Sequence, residues 1–125
     1  MHRSTIYGSD PASFLPLPEA TFEILLALAE GERHGYAIQR DVAARTGGRV
    51  KLGPGTLYGA VKRLLAAGLI EERTARGGSA AGEERRRVYG LSGLGGRVVS
   101  AELARLESLV RAARRRGLRP TRELA

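Results

Sequence analysis

The residues with the clearest chemical content lie in one stretch, Leu52-Gly-Pro-Gly-Thr-Leu-Tyr-Gly-Ala-Val-Lys-Arg-Leu64. Wound as a helix at about 100° per residue, it places Leu57, Ala60, Val61 and Leu64 on one arc, with Leu65 at its edge. Gly55, Gly59, Lys62 and Ala66 face the other way, flanked by Thr56, Tyr58 and Arg63. That outer face offers small residues, two cations, a hydroxyl and a phenol. Small residues let a helix approach the floor of a groove. Hydroxyls donate to phosphates, and Lys or Arg neutralises phosphates or meets guanine acceptors. An ordinary surface helix mixes acids with its cations, yet no acidic residue stands between Asp41 and Glu71. The pattern predicts contact with double-stranded DNA through Gly55, Thr56, Tyr58, Lys62 and Arg63, with Lys51 just ahead of them.

A helix enters a groove only when other elements hold it out. Pro18 suits a first helical turn, Glu19 and Glu23 suit the positive end of the dipole, and Phe22, Leu25, Leu26 and Leu28 recur at helical spacing. This predicts a helix over 18–30, stopped by Gly31. Ala37, Ile38 and Val42 give a second apolar stripe over 35–45, ended by Thr46-Gly47-Gly48. Arg49–Leu52 alternates polar and apolar and is expected as a very short strand. The third helix opens at Gly53–Thr56 and stops at Gly68. Leu69–Thr74 and Arg87–Leu91 read as two strands of a hairpin, with a Gly- and Ala-rich tip over 76–82. Ser92 is placed to cap a fourth helix, although Gly93, Gly95 and Gly96 weaken its start.

Three helices, a hairpin and a long helix describe a winged helix-turn-helix of mainly α (α+β) class. Residues 1–16 are expected as a flexible arm, 17–92 as the DNA-binding domain, 93–117 as a C-terminal dimerisation helix and 118–125 as a disordered tail. The hairpin would serve as a wing, its Arg85 and Arg86 gripping backbone or minor groove. In the fourth helix Val99, Leu103, Leu106, Val110 and Ala113 follow at spacings of four, three, four and three. Such a seam needs a cover. A second copy is the simplest cover, and a two-fold axis would set two recognition helices roughly 34 Å apart. The competing reading packs the seam on the first helix of its own subunit.

Composition agrees with an anionic partner. The chain has 125 residues, a formal net charge of +8 and a pI near 11.0. Six basic and one acidic side chains fall in 34–65, and eight and three in 93–125. Nineteen of the 21 basic residues are Arg, which owes much to general Arg, Ala and Gly richness but does not explain where the charge sits. There is no Cys, so disulfides, thiolate metal sites and Cys nucleophiles are excluded. No apolar run reaches a membrane span and no signal-peptide core is present, which predicts a cytoplasmic protein. No metal cluster, phosphate loop or catalytic triad is found, so no cofactor and no catalysis are expected.

Four groups of residues carry a family resemblance. Arg33-His34-Gly35-Tyr36-Ala37-Ile38, Gly53–Leu64, Gly68-Leu69-Ile70 and Glu84–Leu91 together resemble the PadR-like family of bacterial regulators, from about Leu17 to Leu109. The resemblance implies a homodimeric transcriptional repressor, joined through its C-terminal helix, whose third helix enters the major groove. Release by a small-molecule effector is also implied. Tyr36, at the start of the second helix, would either touch DNA or lie buried beneath the third helix. His34 has no neighbour in ligand spacing and reads as structural or capping. Gly90 stands where the family often has Arg, and the fourth helix lacks aromatic residues, which argues against stacking of planar drugs. The alternative class is a non-specific nucleic-acid-binding basic protein, which would explain the charge but neither the seam nor the joined motifs.

Overall fold

The computed structural model describes residues 10–74 and 87–121. Four helices and three short strands follow in the order α1 (Glu19–Ala29), β1 (Arg33–His34), α2 (Gly35–Arg45), α3 (Pro54–Ala67), β2 (Ile70–Thr74), β3 (Arg87–Leu91) and α4 (Gly93–Arg115). The strands form one antiparallel sheet in the order β1-β3-β2. β2 and β3 pair from Ile70 with Leu91 to Thr74 with Arg87. β1, absent from the sequence reading, adds two residues to the free edge of β3, Arg33 opposite Tyr89 and His34 opposite Val88.

The core lies between α1, α2, α3, the sheet and the first half of α4. Ile24, Leu25, Ile38, Val42, Leu57 and Val98 are sealed from solvent. Burying each such side chain contributes about 1.5–3 kcal/mol, so α3 is held through its inner arc. The expected strand at Arg49–Leu52 is corrected: Arg49 and Val50 form a bend, Lys51 and Leu52 are irregular, and among the described residues no strand pairs with them. Side chains organise it instead. Thr46 Oγ1 accepts the Val50 N–H at 3.0 Å, and Gln39 Nε2 donates to the Leu52 carbonyl. Alternation alone does not make a strand when no edge is available to pair with.

α3 ends where Gly68 turns the chain, with φ 81° and the Leu69 N–H returning to the Leu64 carbonyl at 3.0 Å. Ser92 caps α4 as its type suggests, its Oγ accepting the Gly95 N–H at 2.9 Å and donating to the Gly68 carbonyl at 2.6 Å. Gly95 weakens the helix intrinsically, but α4 needs it. A Cβ there would collide with the Leu69 carbonyl oxygen, so only glycine lets α4 cross the end of α3 this closely.

The described part of the expected arm is packed, not loose. Asp10 caps a 3-10 turn over Pro11–Phe14, and Phe14, Leu15 and Leu17 lie against the core. The Leu17 N–H donates to Glu102 of α4 at 3.1 Å. Glu102 is only 2% exposed, and Arg105 meets both its carboxylate oxygens at 2.6 and 2.9 Å. The Arg105 bonds and the Leu17 N–H, against the opposing effect of burial, hold the Glu102 carboxyl below its ordinary range. Residues 1–9 lie outside the described residues.

Candidate nucleic-acid interface

α3 presents the division that the helical wheel predicts. Leu57, Ala60, Val61 and Leu64 are buried and Leu65 is at the boundary. Gly55, Thr56, Tyr58, Lys62 and Arg63 are exposed, and Lys51 is exposed on the approach to the helix. α2 positions this helix from below. Gly35 opens α2, and a Cβ there would collide with the Tyr58 hydroxyl. The absence of that atom lets the phenol of α3 lie across the start of α2 while staying 46% exposed.

The reading that buries Tyr36 beneath α3 does not hold. It is 66% exposed, so it does not support α3 from beneath. Its ring carries the Arg40 guanidinium, with Cζ 5.7 Å from the ring centroid. Arg40 drew no attention in the sequence, because an Arg four residues after a Tyr is an unremarkable helical pair. His34 precedes α2 and makes no side-chain cap; its contribution is through the backbone, in β1. Arg85 and Arg86 fall outside the described residues, as does the hairpin tip.

Electrostatics separate this face from its surroundings. Arg45 is engaged by Glu23 at 2.5 Å and Asp41 at 2.9 Å. Arg49 pairs with Glu19 at 2.6 Å. Arg73 bridges Glu32 and Glu71, both at 2.7 Å, and lies over Gly90, the position where the related pattern often has Arg. Among the described residues no carboxylate lies within ion-pair distance of Arg40, Lys51, Lys62 or Arg63. Two of the cations counted in 34–65 are thus neutralised, and the remaining four are exposed on α2, on α3 and on the loop between them. Such a surface attracts a polyanion without first having to break internal pairs.

α4 divides in the middle. Val98 and Val99 are buried in the chain's own core. Val99, expected in the seam, thus packs within its own subunit in this first half of the helix. Beyond Glu102 the helix leaves the core. Leu103 is 46% and Val110 39% exposed, with Leu106 and Ala113 partly covered. Leu103, Leu106 and Val110 line a shallow groove with Glu107 and Arg111. Leu109, also exposed, was not singled out because it breaks the four-three spacing.

The family model for the transcriptional regulator PadR-like family matches residues 24–101, which spans α1 to the middle of α4. The chain belongs to the PadR-like family. Solved structures agree with that assignment. A transcriptional regulator from Clostridium thermocellum superposes with a TM-score of 0.62 at 22% identity, covering 90% of this chain and 97% of that one. RosR of H. salinarum gives 0.63 at 26% identity, over 78% and 80%. Bacillus subtilis PadR in complex with operator DNA gives 0.60 at 25% identity, over 70% of this chain and 47% of that one. A protein of 37.1 kDa in transposon TN4556 of Streptomyces fradiae is 44% identical over 59 residues, which span 47% of this chain and 16% of that protein. The PadR-like fold is a winged helix-turn-helix, and the family is one of transcription regulators. Among the described residues no helix is long and apolar enough to cross a membrane.

Proposed function

We propose that this PadR-like chain is a homodimeric repressor that binds a palindromic operator in double-stranded DNA, with α3 in the major groove. The observation that carries the reading is the acid-free outer face of α3 together with Arg40 and Lys51 beside it: among the described residues Arg40, Lys51, Lys62 and Arg63 have no carboxylate partner while neighbouring arginines do. A groove-entering helix needs small residues at the point of closest approach and cations at its margins, and Gly55, Gly59 and Lys62–Arg63 supply them. The exposed outer half of α4 supports the dimer: an apolar stripe of Leu103, Leu106 and Val110 is stabilised when a second copy covers it. The groove of about 370 Å³ along that stripe is where a small apolar effector would act, by competing with the seam that spaces the two α3 helices.

The test is enrichment of duplexes from a randomised pool by the full-length chain. The reading expects a two-fold symmetric sequence with half-site centres about one helical turn apart, and affinity that falls steeply with salt. Binding of all duplexes alike would show a non-specific basic protein instead.

A further inference from the structure

The stacked pair Tyr36–Arg40 has no part in the core, and the recognition helix does not contain it. Tyr36 is two-thirds exposed and Arg40 is exposed, so neither is there to fill space. Both line two shallow depressions. One of about 370 Å³ runs past Gln39, Lys51 and Gly53 to the first turn of α3. The other, of about 330 Å³, reaches Arg33 and Asp41. The pair thus stands between them as a ridge. Asp41, the acid on this side of α2, is already bound to Arg45 Nε at 2.9 Å, which leaves Arg40 with the ring as its neighbour. An arginine laid over an aromatic face keeps its edge donors directed outward, and a flat ring restricts the rotamers that a long side chain would otherwise explore.

We infer that Arg40 is a contact for a DNA backbone phosphate outside the recognition helix, and that Tyr36 is the positioning residue that holds it. In a helix-turn-helix the helix before the recognition helix crosses the backbone, and Arg40 with Lys51 brackets the depression where a phosphate flanking the α3 groove would sit. The inference rests on the proposed DNA-binding function and gives two residues of that surface separate roles. Tyr36 acts through its ring and not through its hydroxyl.

The experiment measures affinity and its salt dependence for a duplex enriched by the wild-type protein, with thermal unfolding recorded for every variant. Arg40→Ala is expected to lower affinity about 3- to 10-fold, uniformly across sequence variants of the duplex, and to reduce the salt slope by about one. Tyr36→Phe is expected to bind as wild type, and Tyr36→Ala to lose part of what Arg40→Ala loses. The double variant R40A/Y36A is expected to bind no worse than R40A alone, because the ring has nothing left to position. Unfolding temperatures are expected to stay unchanged. Wild-type affinity and slope in R40A would overturn the inference, as would equal losses in Y36F and Y36A or additive losses in the double variant. Sensitivity to Lys62→Ala without sensitivity to R40A would overturn this inference alone; an absence of salt-dependent duplex binding by the wild type would overturn the regulator reading with it.

Discussion

Two groups of cations lie a few residues apart in this chain and have opposite surroundings. Arg45, Arg49 and Arg73 each meet a carboxylate, from Glu23 and Asp41, from Glu19, and from Glu32 and Glu71. Arg40, Lys51, Lys62 and Arg63 meet none among the described residues. The first group ties α2, the loop after it and β2 to the acidic residues of the N-terminal third and of β2. The second leaves its charge facing solvent on α2 and α3. The difference teaches that net charge is a poor guide to an anion-binding face. A count over residues 34–65 gives Arg45 and Arg49 the same weight as Lys62 and Arg63, yet these two of its six cations are internal scaffolding.

The largest effect expected comes from removing the second copy of the unpaired face. Leu106→Glu puts a charge into the outer half of α4 and should cost the dimer several kcal/mol, read as a monomer in sedimentation and as loss of operator binding. A dimer that persists in Leu106→Glu would place the interface elsewhere. Next, Arg45→Ala should lower stability by about 1–2 kcal/mol, because two carboxylates and the Glu23 carbonyl lose their donor. Its DNA affinity should stay near wild type, and a large loss of affinity would erase the division between the two groups.

Glu102 and Arg105 extend the paired group into α4, with a buried carboxylate. The Glu102 carboxyl is depressed by Arg105 first and by the Leu17 N–H. A depressed carboxylate stabilises the fold fully above its unfolded pKa, and that stabilisation is lost as pH falls through the folded value. Denaturant melts should therefore show wild type above Glu102→Gln by about 1 kcal/mol at neutral pH, with the gap closing below the ordinary carboxylate value of 4.5. A pH-independent gap would mean that packing, not charge, accounts for it. The smallest effect belongs to Glu19→Gln. The Glu19–Arg49 pair is exposed on both sides, so its loss should change stability by less than about 0.5 kcal/mol and leave DNA affinity alone.

How much of this was legible before the structure depends on whether the information is local. The inner arc of α3 was readable because a helix repeats its burial every turn, and Leu57, Ala60, Val61 and Leu64 need only their own spacing to declare a face. The Ser92 cap and the Gly68 stop are local for the same reason. β1 was not readable. Two residues carry no periodicity, and Arg33 and His34 become a strand only through β3, more than fifty residues away. The reverse error at Arg49–Leu52 has the same origin, since its alternation found no edge. The burial of Val99 in its own core was not readable either, because a helix leaving a core keeps one apolar period throughout, and spacing does not mark where its own domain ends. Ion pairing was invisible for a simpler reason: Glu23 and Arg45 stand 22 residues apart, and Arg40 shows its distinction only once its neighbours are seen to be engaged. Arg85 and Arg86 lie outside the described residues, and the wing they were assigned to rests on the pattern of the strands.

The central claim is that the acid-free outer face of α3 is what binds the operator. The most direct measurement is the affinity of the double variant Lys62→Ala/Arg63→Ala for the duplex that the wild type enriches, taken with its melting temperature. The account predicts a loss of about 100-fold with unfolding unchanged, since both side chains are exposed and without ion pairs among the described residues. Wild-type affinity in that variant would contradict it.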